Sequence, residues 1–285
     1  MAQTDQTGME HWRRAVRWTG AGVFAMALVG GLVGGLTRGS LHVAGAGGGA
    51  GAGAAAAATA GQTRHSAAGP TSHPSTTSSS TTSAVSSKTA ALGTAALLRL
   101  SDLPSGWTSA NTAASPTRVT PWSSKLATCV GVPAQIAKEA PTKVNSPDFT
   151  SADQVDAVED SVSVYPSAAQ AQAEYAALAN SKTTGCMNSV ASLALQKNMQ
   201  QEAGSTTTVG VVTFAGLPAA AAALHMTGFT VSIPIARGGR VLTVTSTQVD
   251  FVSGALLHQV TFNGNGGVFP APLEEQLLAA AQARH

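Results

Sequence analysis

Trp18 to Thr37 is a run without a single charged side chain. Its length is close to the ~20 residues that a helix needs to cross a bilayer, so it divides the chain into parts that live in different solvents. Arg13, Arg14 and Arg17 precede the run and only Arg38 closely follows it. The positive-inside rule therefore makes residues 1–17 a short cytoplasmic tail and places everything after Thr37 outside. Two processing outcomes fit. The length of the run favours a retained signal anchor over residues 18–37, while Ala44-Gly45-Ala46 supplies the small-residue site of a cleaved signal peptide. No cysteine lies near the end of the run to accept a lipid, and the residues around Arg13-Arg14 fit a twin-arginine signal poorly. Gly30 and Gly34, like Gly31 and Gly35, are four apart, the spacing that lets two membrane helices approach. Weak homodimerisation through these glycines is one expectation; the general abundance of glycine in membrane helices is the plainer account.

Residues 38–91 carry Arg38, Arg64 and Lys88 as their charges and no aromatic side chain. Such a segment buries too little apolar surface to offset the entropy of ordering, and it reads as a disordered tether. It is Gly/Ala-rich first, then Ser/Thr-rich from His65 to Thr89 with Pro70 and Pro74, the composition of a flexible or O-glycosylated stalk. A coil of about 50 residues spans on the order of 40 Å. The glycines of Gly45 to Ala50 imitate a dinucleotide-binding loop by composition only, because neither a strand before them nor a helix after them is indicated.

Residues 92–285 are long enough for one domain with one core. Cys129 and Cys186 are the only cysteines, and both fall in the part placed outside, where oxidising conditions favour a disulfide over a reactive thiol. Closing a loop of about 58 residues contributes ~4 kcal/mol by chain entropy. Trp122, Leu126, Cys129 and Val130 share one face of a short helix, which turns the first cysteine inward. Val158, Val162 and Val164 alternate with polar residues as a strand with one buried face, ending at Pro166. Ser167 and Gln170 form a capping box for a helix presenting Ala168, Ala171, Tyr175 and Leu178. A second helix from Thr184 to Gln201 puts Cys186, Val190 and Leu193 on one stripe.

From Thr206 onward the apolar period becomes two: Val209, Val211 and Phe214; Phe229 to Ile235; Val249 and Phe251; Leu256, Val260 and Phe262. Arg237-Gly238-Gly239-Arg240 and Ser253-Gly254 supply glycine turns for hairpins. The alternation slips between Val244 and Val249, which predicts a bulge or a split strand. A last helix starts near Pro272, with Glu274 and Glu275 at its positive end and Arg284 at its negative end. The expected fold is α+β: an antiparallel sheet of about five or six strands with helices packed on it, preceded by one transmembrane helix and a disordered tether.

No Gly-x-Ser-x-Gly elbow, His-Glu-x-x-His, Cys-x-x-Cys or phosphate loop is present. The domain's histidines are His225, His258 and His285. His258 shares a strand face with Leu256, Val260 and Phe262, as a satisfied core residue or a ligand contact. Asp160, in register with Val158 and Val162, is either a binding carboxylate or a residue just beyond the sheet edge. Asp153, Asp156, Glu159 and Asp160 lack the regular spacing of a calcium loop and read as a solvated approach to a strand, so no metal or cofactor is assigned. The net charge of +2 comes largely from the boundary arginines, and no basic stripe with interleaved aromatics exists, which disfavours nucleic acid.

The stretch Leu97 to Trp107, then Cys129-Val130-Gly131, Ser146 to Phe149, Val162 to Ala169 and Gly185-Cys186 resembles bacterial envelope domains of the PknH-like extracellular sensor type. The resemblance implies an unidentified ligand bound in a cleft beside the sheet, and carries over only Cys129 and Cys186, as structural residues. The cytoplasmic tail is too short for a kinase, so a signal would pass through a partner. Three functions are weighed. The first is a membrane-anchored, non-enzymatic domain binding an envelope lipid, glycan or peptide. The second is an envelope structural or adaptor protein with a large exposed apolar patch. The third is a hydrolase or transferase, for which Asp160, Asp250 and His258 must converge in one cleft.

Overall fold

The computed structural model describes residues 86–109, 116–118, 122–203 and 205–284. The membrane run, its glycine pairs, the tether up to residue 85 and His285 lie outside the described residues. Among those described, no helix is long and apolar enough to cross a membrane.

In chain order the helices are α1 (Ser87–Ala96), α2 (Ser124–Val130), α3 (Ala134–Ala137), α4 (Ala168–Leu178), α5 (Thr183–Cys186), α6 (Ser192–Ala203), α7 (Ala219–Ala223) and α8 (Ala271–Gln282). The strands are β1 (Thr108–Ser109), β2 (Thr117–Arg118), β3 (Thr142–Asn145), β4 (Phe149–Thr150), β5 (Asp156–Val164), β6 (Thr207–Val209), β7 (Thr213–Gly216), β8 (Thr227–Arg237), β9 (Arg240–Ser253) and β10 (Leu256–Asn265). The fold is α+β, as expected, but the sheet is larger: ten antiparallel strands rather than five or six, in the order β1-β4-β5-β10-β9-β8-β6, with β3, β2 and β7 added at the edges. The additional strands have two to four residues, too few for a period of two to register. Helix α1 starts inside the stretch read as tether; Gly93 lets it lie against β3 and β5, since a Cβ there would stand 2.6 Å from a Val144 methyl.

Both glycine turns close hairpins. Gly238 and Gly239 have positive φ (58° and 76°), as a tight turn with two left-handed residues requires, and join β8 to β9; Gly254 joins β9 to β10. The bulge expected in β9 is absent. Its register to β8 runs unbroken from Arg240 opposite Arg237 to Asp250 opposite Thr227. What changes along the strand is the face that carries its apolar residues: Val244 points to one side of the sheet, Val249 and Phe251 to the other.

Pairing register assigns every central side chain to a face. The first face carries Val158, Asp160, Val162 and Val164 of β5, Val249 and Phe251 of β9, and Leu256, His258, Val260 and Phe262 of β10. It packs on Leu98, Leu103, Phe269 and the inner side of α8 (Leu277, Leu278, Ala281). The second face is apolar at β8 (Phe229, Val231, Ile233, Ile235), under a layer formed by α2, α4, α5 and α6.

Three corrections concern that layer. Helix α2 is capped by Ser123, whose Oγ accepts from Leu126 N, and buries Trp122, Leu126 and Val130, but Cys129 is exposed on its flank rather than inward. Cys186 is buried, and the two form a disulfide with Cα atoms 5.7 Å apart. The second helix is not uniform. A π-turn, Met187–Ala191, separates α5 from α6, and its extra residue rotates the remainder of the helix about its axis. The buried stripe is Met187, Ala191, Leu195 and Met199, while Leu193 is 59% exposed. In α4, Ser167 caps Gln170 N as expected, but Glu174, not Tyr175, is the residue sealed inside, and Ala168 is exposed.

The π-turn and α6 also replace a strand. Asn188, Ser192, Gln196 and Gln200, four apart, offer their side chains to the backbone of residues 207–214. Asn188 Nδ2 donates to Phe214 O (2.8 Å) and its Oδ1 accepts from Phe214 N (2.9 Å). Ser192 Oγ donates to Val212 O, Gln196 Nε2 to Val209 O (3.0 Å) and Gln200 Nε2 to Thr207 O (2.7 Å). This ladder satisfies the outer edge of β6 and β7 that would otherwise be open to another strand. The expected single strand here is broken at Gly210 into β6 and β7, so Val212 is buried in place of the exposed Val211.

Candidate functional site

Asp160 and His258 are both fully buried near the middle of the first face, which places Asp160 in a central strand rather than beyond the sheet edge. His258 Nδ1 stands 3.8 Å from Asp160 Oδ1, and its ring stacks on Phe251 at 4.6 Å between centroids. Asp160 Oδ2 accepts from Leu98 N at 2.9 Å, and Asp160 N donates to Ser146 Oγ at 2.9 Å. Asp160 therefore fastens the segment after α1 and the segment after β3 to the sheet. Asp250 does not join the pair. It pairs in register with Gln259, one residue along from His258, so its side chain emerges on the opposite face. The convergence that a hydrolase of these three residues needs is not present.

Asp250 instead belongs to a polar seam on the second face, where the helices stop being matched by apolar strands. Its rows follow from register: Asn145, Ser161, Gln259 and Asp250; Glu159, Thr261 and Gln248; Asn263 and Ser246. Asp250, Gln248, Ser246, Asn263, Gln259, Thr261 and Ser161 are all buried. Gln248 Nε2 donates to both oxygens of Asp250 (2.9 and 3.1 Å), and Lys143 Nζ donates to Gln259 Oε1 (3.2 Å). Both amide atoms of Asn263, Ser246 Oγ and Asn145 Oδ1 have no hydrogen-bond partner. Buried polar atoms are rarely left this way in a packed core.

Burial dominates the electrostatics of the seam. It pushes the Asp250 carboxyl up to about 7 against the opposing hydrogen bonds of Gln248 and Gln259. It pushes Glu159 up to about 7 as well, with Asp148 adding to the rise and Lys143 opposing it. Lys143 is lowered by the same desolvation, against the pull of Glu159 and Asp250. Raised carboxyls beside a lowered amine are what withdrawal from water does to ionisable groups that share one buried face. Among the described residues, no group of acidic, histidine or cysteine side chains is placed to hold a metal ion.

Apart from Asp250 and Glu159, the latter read as part of a solvated approach to the strand, the residues of the seam do not stand out in the sequence. One signal points to them: the slip between Val244 and Val249, which marks where the second face of β9 turns from apolar to Ser246, Gln248 and Asp250. A separate cleft of about 380 Å³ lies between α3 and α4, lined by Val130, Val132, Pro133, Ile136 and alanines of α4, with Gln135 and Asn180 as its polar side chains.

No family model and no curated protein matches the chain. Among solved structures, the crystal structure of the extracellular domain of PknH from Mycobacterium tuberculosis aligns over 68% of this chain and 96% of that one, at 12% identity and a TM-score of 0.36. The structural resemblance is loose, like the resemblance of the short motifs.

Proposed function

We propose that residues 92–285 form a non-enzymatic, sensor-like domain that binds a ligand of the bacterial cell envelope in the polar seam, displayed outside the membrane by Trp18–Thr37 and the tether. The observation that carries this reading is the seam itself: hydroxyl, amide and carboxyl side chains on four adjacent strands, withdrawn from solvent, with Asn263 and Ser246 unpartnered. A few convergent polar groups in a buried setting fix a ligand's orientation. The Cys129–Cys186 bond supports an oxidising compartment outside the membrane.

The test is thermal unfolding of the full chain in detergent with envelope extract separated into lipid, glycan and peptide fractions. One fraction raises the Tm of the wild type and fails to raise that of Gln248→Leu. If no fraction stabilises the wild type, or if Gln248→Leu responds equally, the reading is wrong.

A further inference from the structure

The unpaired atoms of the polar seam include both donors and acceptors, and strand register fixes where they stand. Asn263 and Ser246 face each other directly across β10 and β9, so the Asn263 amide nitrogen and oxygen and the Ser246 hydroxyl form one open group. Asn145 Oδ1 stands two strands over on β3, in the row of Ser161 and Gln259, four residues along from Asn263. At ~4.8 Å per strand and ~3.3 Å per residue, the two ends of this pattern are about 16 Å apart. Between them the face is hydroxyl, amide and carboxyl: along these rows of β5, β10 and β9, Ala157 is the one hydrocarbon side chain. Lys143 and Asn145 of β3 and Glu159 of β5 are half-buried rather than sealed, so the seam reaches solvent on that side.

Few chemistries satisfy such a face. An acyl chain would leave every one of these atoms unpaired and gain contact with little besides Ala157. An anion needs donors, yet the amide oxygens of Asn145 and Asn263 are among the open atoms, and the ammonium of Lys143 is already bonded to Gln259 Oε1, with Glu159 and Asp250 acting on it. A cation needs acceptors, and Asn263 Nδ2 can only donate. A peptide strand pairs through its backbone at a sheet edge, whereas the seam lies mid-face on strands that have neighbours on both sides. A sugar hydroxyl gives and accepts at one oxygen, and each ring carries several at fixed spacing. Resting on the reading of the seam as a binding site, we infer that its ligand is a neutral oligosaccharide of at least two rings, held through its hydroxyls by Asn263 and Ser246 at one end and Asn145 at the other.

The experiment measures thermal unfolding of the full chain in detergent. Its probe is the neutral, water-soluble carbohydrate fraction of bacterial envelope, freed of charged material by ion exchange and used untreated, digested with protease, or hydrolysed in acid to single sugars. The charged, lipid and peptide fractions of the same envelope complete the set. The untreated and protease-digested forms are expected to raise the Tm alike, and hydrolysis to abolish the rise. Asn263→Leu, which removes atoms that have no partner and is expected to fold, loses the response. Ser246→Ala removes one oxygen, weakens the response, and replaces Asn263→Leu if that variant does not fold. A rise given only by the charged, lipid or peptide fraction, or one that survives hydrolysis, overturns the oligosaccharide; if Asn263→Leu abolishes that rise, the seam still stands as a binding site. No rise with any fraction overturns both readings. A rise from the carbohydrate fraction that both variants keep places the sugar elsewhere and overturns the assignment.

Discussion

The two faces of β5, β9 and β10 are built from adjacent residues of the same strands and are comparably buried, yet they are different materials. Val260 and Phe262 lie on one side, Thr261 and Asn263 on the other. On the first face, apolar side chains interlock with Leu98, Phe269 and α8, and the ionisable pair Asp160 and His258 is enclosed among them, with Asp160 holding Leu98 N. On the second, polar atoms are buried without being fully paired. Both faces are buried and each keeps an unpaired polar atom, Asp160 Oδ1 on the first and those of Asn263 and Ser246 on the second, so what separates them is how many polar side chains each encloses.

The comparison breaks first at Phe262. Phe262→Ala removes a ring packed against Phe269 at 5.0 Å and is expected to cost about 3–5 kcal/mol in denaturant unfolding, whereas Thr261→Ala costs about 1 or less. Equal costs would mean that the faces are not distinct. Next comes the disulfide that fastens the helix layer. Replacing both Cys129 and Cys186 by serine reopens a separation of 57 residues and should lower stability by ~4 kcal/mol, read from the extrapolated unfolding free energy in urea, with a steeper slope as the denatured chain expands.

Asp160→Ala leaves Leu98 N buried without its acceptor and is expected to cost about 2 kcal/mol, more than Asp160→Asn, which keeps an oxygen for it. Calorimetry of the two variants separates an anchoring carboxyl from one poised for chemistry. The pH profile sharpens the contrast further. Asp250 and Glu159 titrate near 7 when folded, above their unfolded values, so their contribution is full below about pH 4 and lost as pH rises through about 7. Asp250→Asn flattens part of that decline in Tm; an unchanged slope would place the titrating group elsewhere. The smallest effect is expected at Asn263→Leu, within about 1 kcal/mol of wild type, because it removes polar atoms that lack partners.

Much of this architecture is legible in the chain. The hairpins announce themselves through Arg237-Gly238-Gly239-Arg240 and Ser253-Gly254, and α4 through Ser167 and Gln170, because turn and cap chemistry is local. Strands of two residues, such as Thr108–Ser109, carry no periodic signal and stay invisible. A uniform 3.6-residue period turns Leu193 inward, and one π-turn after Cys186 suffices to rotate Leu195 into its place. The site is harder. Asp160, Asp250 and His258 stand out as chemical types, but strand parity decides which face each occupies, and parity puts Asp250 opposite the other two. The seam registers in the sequence only as a fault in the alternation of β9, where a change of face reads like a bulge.

One paired measurement addresses the account most directly: thermal unfolding of the full chain, with and without envelope extract, for the neighbouring substitutions Val260→Thr and Thr261→Val. The account predicts that Val260→Thr, which buries a hydroxyl among Val158, Val249 and Phe262, costs about 1–3 kcal/mol and keeps the stabilisation given by the extract. It predicts that Thr261→Val changes the Tm little and loses that stabilisation. If the two variants respond to the extract alike, the polar face is not a binding site.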